Sequence, residues 1–274
     1  MNIYAKPAHY YKHGTLTTRN PHLYRTSSLV RGNQIAEYLG WKLNPEEREL
    51  GIYVKPNENE ISEMPDGSFI DVIDAFHLFH AISKRPKLNV ILTSQYHYEL
   101  WKNRIPNKII VIPHHHCNFD REIRTKTEVD TVGYIGSIRG IDLDIDEATK
   151  RFNDMGLKFL TNYDFRGRED SVAFYKQIDI QLVWKPDNLP GHTPMKITNA
   201  ASYGIPSISK PCEHFKEIEG FYITAPDKEG LYAEVERLKD PTYYASWSER
   251  LIPEMEKYHI SNIAKQYEEL EHLA

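Results

Sequence analysis

The sequence predicts an α/β protein with two parallel sheets, each covered by helices. Short apolar runs of the length of buried strands alternate with segments that have a helical apolar period. The alternation stops at a polar stretch, 118–130, and then starts again. Because parallel strands need crossover connections, which are usually helices, two such series predict two doubly wound domains.

Composition places the chain among globular proteins of one or two domains. It has 274 residues, of which 40% are hydrophobic and 27% charged. A formal net charge of −5 gives no general attraction to nucleic-acid backbones or anionic membranes. No apolar run reaches membrane-spanning length, and no signal peptide is visible after Met1. Cys117 and Cys212 make no disulfide framework, so the expected location is the cytoplasm.

The first half of the chain supplies the first predicted sheet. A helix is expected from Ser28 to Gly40, which ends it, and another over 95–102, with Ser94 as its N-cap. The polar and aromatic segment 6–31 has little helical period and predicts a long loop. Strands are expected at 2–5, 51–55, 89–94 and 108–114, and 69–80 begins as a strand and continues as a helix.

The second half repeats the pattern. The segment 118–130 is interpreted as a linker, and the tail from Tyr243 to Ala274 is expected to be helical. Strands are expected at 131–136, 157–161, 179–183, 206–209 and 221–224. The apolar side of the tail consists of Leu251, Met255, Ile260, Ile263, Tyr267 and Leu270. The predicted domains are 1–118, 119–250 and 251–274, the last being a C-terminal helix.

The stretch from Ile178 to Ser209 is the most informative part of the second half. It reads as a buried strand, a loop rich in glycine and proline, a short helix from Met195, and a further strand. Gly204 fits the position after the helix, and Pro206 prevents the helix from continuing.

This stretch resembles the donor-site segment of GT-B glycosyltransferases, in particular the donor-binding domain of glycosyltransferase family 4, or group 1. The family pattern P-x-K-x-x-E-A-x-A-x-G-x-P-V-I matches Pro194 to Ile208, with Asn199 at the position of the usual glutamate. In the family that carboxylate holds ribose hydroxyls, and an amide can still hydrogen-bond a hydroxyl without charge. The run 109–114 also resembles the V-I-P-[NH] sequence that leads out of the first GT-B domain.

The resemblance implies two Rossmann-like domains that face a cleft, with a C-terminal helix crossing back to the first domain. It implies a nucleotide-sugar donor, most commonly a UDP-sugar, an acceptor hydroxyl, and no required metal or other cofactor. It slightly favours the retaining stereochemistry, in which the donor phosphate assists.

A second motif, Gly133 to Gly140, does not fit G-x-G-x-x-G but resembles the family segment that turns beside the donor diphosphate. Glycine there lets backbone amides approach phosphate oxygens, and Arg139 offers a planar cation. A plain glycine turn with a solvated arginine is the alternative, and Thr193 is also a candidate cap for the following helix. The donor and phosphate candidates are Gly136, Ser137, Arg139, Arg166, Thr193, Lys196 and Asn199.

The first domain supplies candidates for the acceptor side and for catalysis. Asp71, Asp74 and His77 could provide a base if the reaction inverts, and capping or solvation of the carboxylates is the alternative. Asp71 and Asp74 are one helical turn apart if the segment is helical. The acceptor-side candidates are Lys12, His13, Gly14, Thr15 and His114.

The run 114–117, three histidines and a cysteine, also suggests a metal. Consecutive strand residues alternate between faces, however, and no paired spacing motif accompanies the run, so no metal site is predicted.

The predicted function is transfer of a hexosyl or pentosyl group from a nucleotide-sugar to an acceptor hydroxyl. One alternative is a protein that binds a sugar nucleotide or glycan without turnover, since Asn199 replaces the family carboxylate. The other is a phage-type glycosyltransferase that acts on modified DNA bases, against which the acidic charge argues.

Overall fold

A computed structural model describes residues 1–6, 11–12, 15–16, 26–163, 167–186 and 193–273, with only the backbone at 11–12, 15–16 and 26. The chain forms two compact units, Met1–His115 with Ile260–Ala274, and His116–His259. The predicted domain ranges 1–118, 119–250 and 251–274 stay predictions. None of the helices within the described ranges has the length and apolar composition needed to cross a bilayer.

The first unit contains a six-stranded parallel sheet in the order β4-β1-β5-β6-β7-β8. Every residue of β5, β6 and β7 is buried, as expected for the central strands of a sheet covered on both faces. A small antiparallel hairpin, β2 with β3, lies outside this sheet. The strands are β1 (Asn2–Ala5), β2 (Tyr11–Lys12), β3 (Thr15–Leu16), β4 (Lys42–Leu43), β5 (Gly51–Val54), β6 (Phe69–Asp71), β7 (Asn89–Leu92) and β8 (Ile109–Val111).

Two helices of the first unit begin or end where local signals predict. Gly40 has a left-handed φ of 67° at the end of α2, and the Ser94 hydroxyl accepts the His97 amide 3.3 Å away at the start of α5. A capping box of Asn57 and Glu60 starts α3, a helix that the sequence pattern did not predict. The helices are α1 (Thr26–Ser28), a π-helical turn (Leu29–Asn33), α2 (Gln34–Leu39), α3 (Glu58–Glu63), a 3-10 turn (Phe76–Leu78), α4 (Phe79–Ile82) and α5 (Gln95–Trp101).

The second unit contains a five-stranded parallel sheet in the order β10-β9-β11-β12-β13. The chain adds β10 on one side of β9 and then adds β11, β12 and β13 on the other side. The topological switch point therefore lies between β9 and β11. The strands are β9 (Thr131–Ile135), β10 (Lys158–Asn162), β11 (Ile180–Val183), β12 (Ser207–Ser209) and β13 (Ile223–Thr224).

Helices and 3-10 turns connect these strands. In α8 the predicted stop is confirmed, because Gly204 has a φ of 74° and the Ile205 amide returns to the Ala200 carbonyl. The elements are a 3-10 turn (Ile138–Gly140), α6 (Ile145–Asp154), α7 (Arg168–Tyr175), α8 (Met195–Ser202), a 3-10 turn (Glu213–Ile218), α9 (Lys228–Arg237), α10 (Pro241–Met255) and a 3-10 turn (Glu256–Tyr258).

The helical tail is interrupted at His259, which is extended with a ψ of 145°. The chain then returns to the first unit as α11 (Ile260–Glu268) and a 3-10 turn (Glu269–His272). All six apolar positions predicted for the tail are at most 1% exposed, but Leu251 and Met255 are buried in the second unit and the other four in the first.

The segment 118–130 contains no helix or strand, but it is not a loose linker. The Asn118 side chain donates to the Ser202 carbonyl at 2.9 Å, and Arg124 forms a buried ion pair with Asp179 at 2.8 Å. These contacts attach the segment to the second unit.

Candidate functional site

The switch point of the second sheet brings two loops together. Gly136 to Gly140 follow β9, and Trp184 to Pro186 follow β11. The two strands are paired in register, with Gln181 opposite Gly133. Ligands of open α/β sheets bind outside the carboxyl ends of the strands at such a point, so the loops after β9 and β11 form the candidate site.

Gly136 provides space for a neighbouring side chain rather than a hydrogen-bond donor for a ligand. Its φ is +139°, and a Cβ at this position would lie 2.4 Å from the Lys196 Nζ atom. The Gly136 amide donates to the Asn162 carbonyl at 2.9 Å, so it is not available to a phosphate. The glycine predicted to expose backbone amides therefore makes room for an ammonium group.

Lys196, in the first turn of α8, places its ammonium group in that space. Its Nζ donates to the Tyr134 hydroxyl at 3.2 Å and lies 4.3 Å from the centroid of the ring. Burial lowers the pKa of Lys196 to about 7, and the positive charge of Lys185 acts in the same direction. Among the described residues no carboxylate forms an ion pair with it.

Lys185 is a second cation at this edge that the sequence analysis did not single out. It comes two residues after β11, is half-buried, and its Nζ lies 5.5 Å from the centroid of the Phe215 ring. Burial lowers the pKa of Lys185 to about 8. The sequence signal that could have identified Lys185 is a basic residue shortly after a buried strand.

The remaining donor candidates differ in their placement. Arg139 and Ser137 are exposed on the turn after β9, where the Ser137 carbonyl accepts the Tyr134 hydroxyl at 2.7 Å. Arg166 lies outside the described residues. The expectation that Thr193 caps α8 is wrong, because Pro194 occupies the N-cap position and no side chain caps the helix.

Asn199 is engaged inside the second unit. Its Oδ1 accepts the Cys117 amide at 2.8 Å. The residue is only 8% exposed. The Asn199 oxygen therefore already accepts one hydrogen bond from the backbone.

The acceptor-side candidates lie in the first unit. Burial holds the pKa of His114 well below its usual range, and Arg31, His115 and Lys55 add to this effect, so its imidazole is neutral. Lys12 and Thr15 pair across the β2–β3 hairpin. His13 and Gly14 lie outside the described residues.

The structure does not place the three catalytic candidates on one helical face. Asp71 ends a strand and Asp74 lies in the following loop, so the conditional helical spacing does not apply. Asp74 is exposed and forms an ion pair with Lys55 at 2.5 Å, and His77 is exposed in a 3-10 turn.

Asp71 is fully buried, and its carboxylate accepts hydrogen bonds from Arg31 at 2.7 Å and Tyr267 at 3.1 Å. Burial raises the pKa of Asp71, and the Arg31 guanidinium opposes this. These contacts give Asp71 a structural role. Within the described part of the chain, no group of three or more histidine, cysteine or acidic residues could hold a metal ion.

No protein-family model matches the sequence, and no curated protein matches it. Solved structures do match in fold. AviGT4, a glycosyltransferase involved in avilamycin A biosynthesis, is 13% identical with a TM-score of 0.56, over 99% of this chain and 97% of that one. HepE from Anabaena, solved with UDP and glucose, is 12% identical with a TM-score of 0.54, over 80% of this chain and 76% of that one. Sucrose-phosphate synthase from Thermosynechococcus elongatus is 12% identical with a TM-score of 0.53, over 88% of this chain and 70% of that one.

These similarities, with the two parallel sheets, show that the chain has the α/β fold of GT-B glycosyltransferases. At such low identity they concern the fold.

Proposed function

We propose that this GT-B-fold protein is a glycosyltransferase that binds a nucleotide-sugar at the carboxyl edge of its second sheet and transfers the sugar to an acceptor hydroxyl. One observation carries the proposal. The Lys196 ammonium group lies against Gly136 at the switch point, and no described carboxylate neutralises it. A diphosphate is the anion that a nucleotide-sugar would bring to this position.

In the proposed reaction the acceptor oxygen forms a bond to the anomeric carbon as the bond from that carbon to the diphosphate oxygen breaks. The nucleoside diphosphate leaves with the bonding electron pair, and the hydroxyl proton goes to the departing phosphate or to solvent. Lys196 would stabilise the negative charge that grows on the diphosphate. Of the other donor candidates, Arg139 and Ser137 are exposed on the turn after β9, where they could reach the same ligand.

We keep the retaining outcome as the preferred stereochemistry. Asp71 is fully buried and its Oδ2 accepts from Arg31 and Tyr267, and Asp74 is paired with Lys55, which leaves neither as a ready base. The donor phosphate would then accept the proton. On the acceptor side the neutral His114 could accept or donate a hydrogen bond to a hydroxyl.

UDP is the first nucleotide to test, because the similar structure of HepE contains it. Calorimetric titration of UDP should show binding to the wild-type protein and binding about ten- to a hundredfold weaker to Lys196→Ala, because a charge-assisted hydrogen bond is lost. ADP and GDP serve as controls for the base. Equal affinity of the two proteins for UDP would place the diphosphate elsewhere.

Turnover distinguishes an enzyme from a protein that only binds the donor. Incubation of UDP-sugars with a panel of hydroxyl acceptors should release UDP faster than buffer does. Binding without release across the panel would favour the non-catalytic alternative.

The free thiols of Cys117 and Cys212 are consistent with the reducing cytoplasm that we propose as the location of the protein.

A further inference from the structure

We propose that Lys185 is a second phosphate-binding residue, which together with Lys196 holds the two phosphates of one diphosphate. The inference rests on the proposed function, because it names a further residue of the same donor site.

The topology places both lysines at the switch point. Lys185 follows β11 by two residues, and the Lys196 Nζ atom lies against Gly136, the first residue after β9. β9 and β11 are hydrogen-bonded neighbours, and such strands lie about 4.8 Å apart. Two ammonium groups beyond adjacent strand ends match an anion with two charged centres better than a single phosphate.

Electrostatics supports the presence of an anion between the two lysines. Burial lowers the pKa of each lysine, and the charge of Lys185 lowers that of Lys196 further, which means that the two cations repel each other. Half-buried like charges without an acidic partner destabilise a fold. In the described ranges neither lysine forms an ion pair with a carboxylate. An anionic ligand would remove this repulsion.

A neighbouring lysine shows how the fold neutralises a cation at this edge. Lys210 follows β12 at the same edge of the sheet, and its Nζ lies 2.6 Å from the Asp142 carboxylate. The Lys185 Nζ lies instead over the Phe215 ring, which is 1% exposed and carries no negative charge to neutralise it. This contrast within one edge points to a ligand for Lys185.

The test compares affinity with unliganded stability in the full-length protein. Pyrophosphate and UDP are titrated by calorimetry against the wild type, Lys185→Met, Lys185→Arg and Lys196→Met. Lys216→Met is the control, because Lys216 is an exposed lysine on the adjacent 3-10 turn. Melting temperatures are measured for all five proteins without ligand.

We expect Lys185→Met to weaken pyrophosphate and UDP binding at least about tenfold, with most of the affinity kept in Lys185→Arg. The melting temperature of Lys185→Met without ligand should equal or exceed that of the wild type, because a repelling, half-buried charge is removed. Lys216→Met should change neither quantity.

Three results would overturn the inference. If Lys196→Met weakens binding but Lys185→Met does not, Lys185 is outside the site, while the proposed function stands. If Lys185→Met lowers both melting temperature and affinity and Lys185→Arg restores neither, the lysine is structural. If the wild type binds neither pyrophosphate nor UDP, the inference and the proposed function fail together.

Discussion

At the scale of single residues, a buried cation and a partly buried one show opposite arrangements. Arg31 is fully buried, and its guanidinium is neutralised by Asp71 and packed 5.2 Å from the centroid of the Tyr267 ring. Lys196 is partly buried, without an acidic partner among the described side chains, and has a pKa of about 7. The first arrangement is typical of a structural ion pair, and the second is typical of a site that receives an anion.

The lowered pKa of Lys196 predicts a pH dependence of donor binding. In the free protein its amine is charged below about pH 7 and neutral above it. UDP affinity should therefore fall as pH rises from about 7 to about 9, a range in which the terminal phosphate, with a pKa near 6, is already ionised. The slope should be smaller in Lys196→Arg, whose guanidinium stays charged. Calorimetric titration across this range measures the effect, and a flat wild-type profile would contradict it.

The buried ion pair predicts a loss of stability. Asp71→Asn keeps the shape of the side chain but leaves the Arg31 charge uncompensated, so the free energy of unfolding should fall by about 3–5 kcal/mol. Denaturant titration measures the loss. Asp66→Asn is the control, because Asp66 pairs with Arg85 and Lys87 on the surface and should change stability little. An Asp71→Asn protein as stable as the control would remove the structural role assigned to the pair.

At the scale of elements, the turn after β9 and the first turn of α8 act together. The turn supplies Gly136, whose missing side chain leaves room for the Lys196 ammonium group. The helix supplies the lysine, and its Asn199 attaches it to Cys117. The position of the ammonium group therefore depends on two elements that are far apart in sequence.

Gly136→Ala should weaken binding of the nucleotide donor by more than its loss of folding stability explains. The added methyl would lie 2.4 Å from Nζ and displace the lysine, so UDP binding should weaken about tenfold. Gly156→Ala is the matched control, since Gly156 also has a positive φ, of 75°, but nothing lies near its missing Cβ. Both variants should lose about 1–3 kcal/mol of folding free energy from backbone strain. Equal UDP affinity in both would show that the space at Gly136 is not used for the lysine.

At the scale of the whole molecule, each unit has its own parallel sheet, and the end of the chain completes the first unit. Tyr267 of α11 donates to Asp71 at 3.1 Å, and Ile260, Ile263 and Leu270 are at most 1% exposed. The first unit therefore depends on a segment that follows the entire second unit in sequence.

Deletion of 260–274 should destabilise the first unit selectively. It removes the Tyr267 ring that packs on Arg31 and the Tyr267 hydroxyl that donates to Asp71, and it exposes the apolar surface covered by α11. Hydrogen exchange measured by mass spectrometry should show lost protection in β1, β5 and β6, while β9 to β12 remain protected. Uniform loss in both sheets would mean that the units unfold as one.

Much of the fold can be read from the chain alone. Strands such as β7 and β11 are buried on both faces, so their apolar runs are continuous and visible locally. The end of α8 is equally local, because Gly204 and Pro206 act on neighbouring backbone. The short strand β4 and the hairpin β2–β3 have no such run, since each has two residues per strand, and they were not predicted.

The candidate site could be predicted only in part. Gly136 and Lys196 follow from motifs, but their contact depends on how α8 packs on the second sheet, which no local pattern encodes. Asn199 was predicted to face a ribose, and its bond to Cys117 joins residues 82 positions apart. Asp71 is a catalytic candidate from its position in the sequence. In the structure its carboxylate accepts hydrogen bonds from Arg31 and from Tyr267, which is 196 positions away. Periodicity reports which residues are buried, whereas their partners depend on strand order and helix packing, which arise only when the whole chain folds.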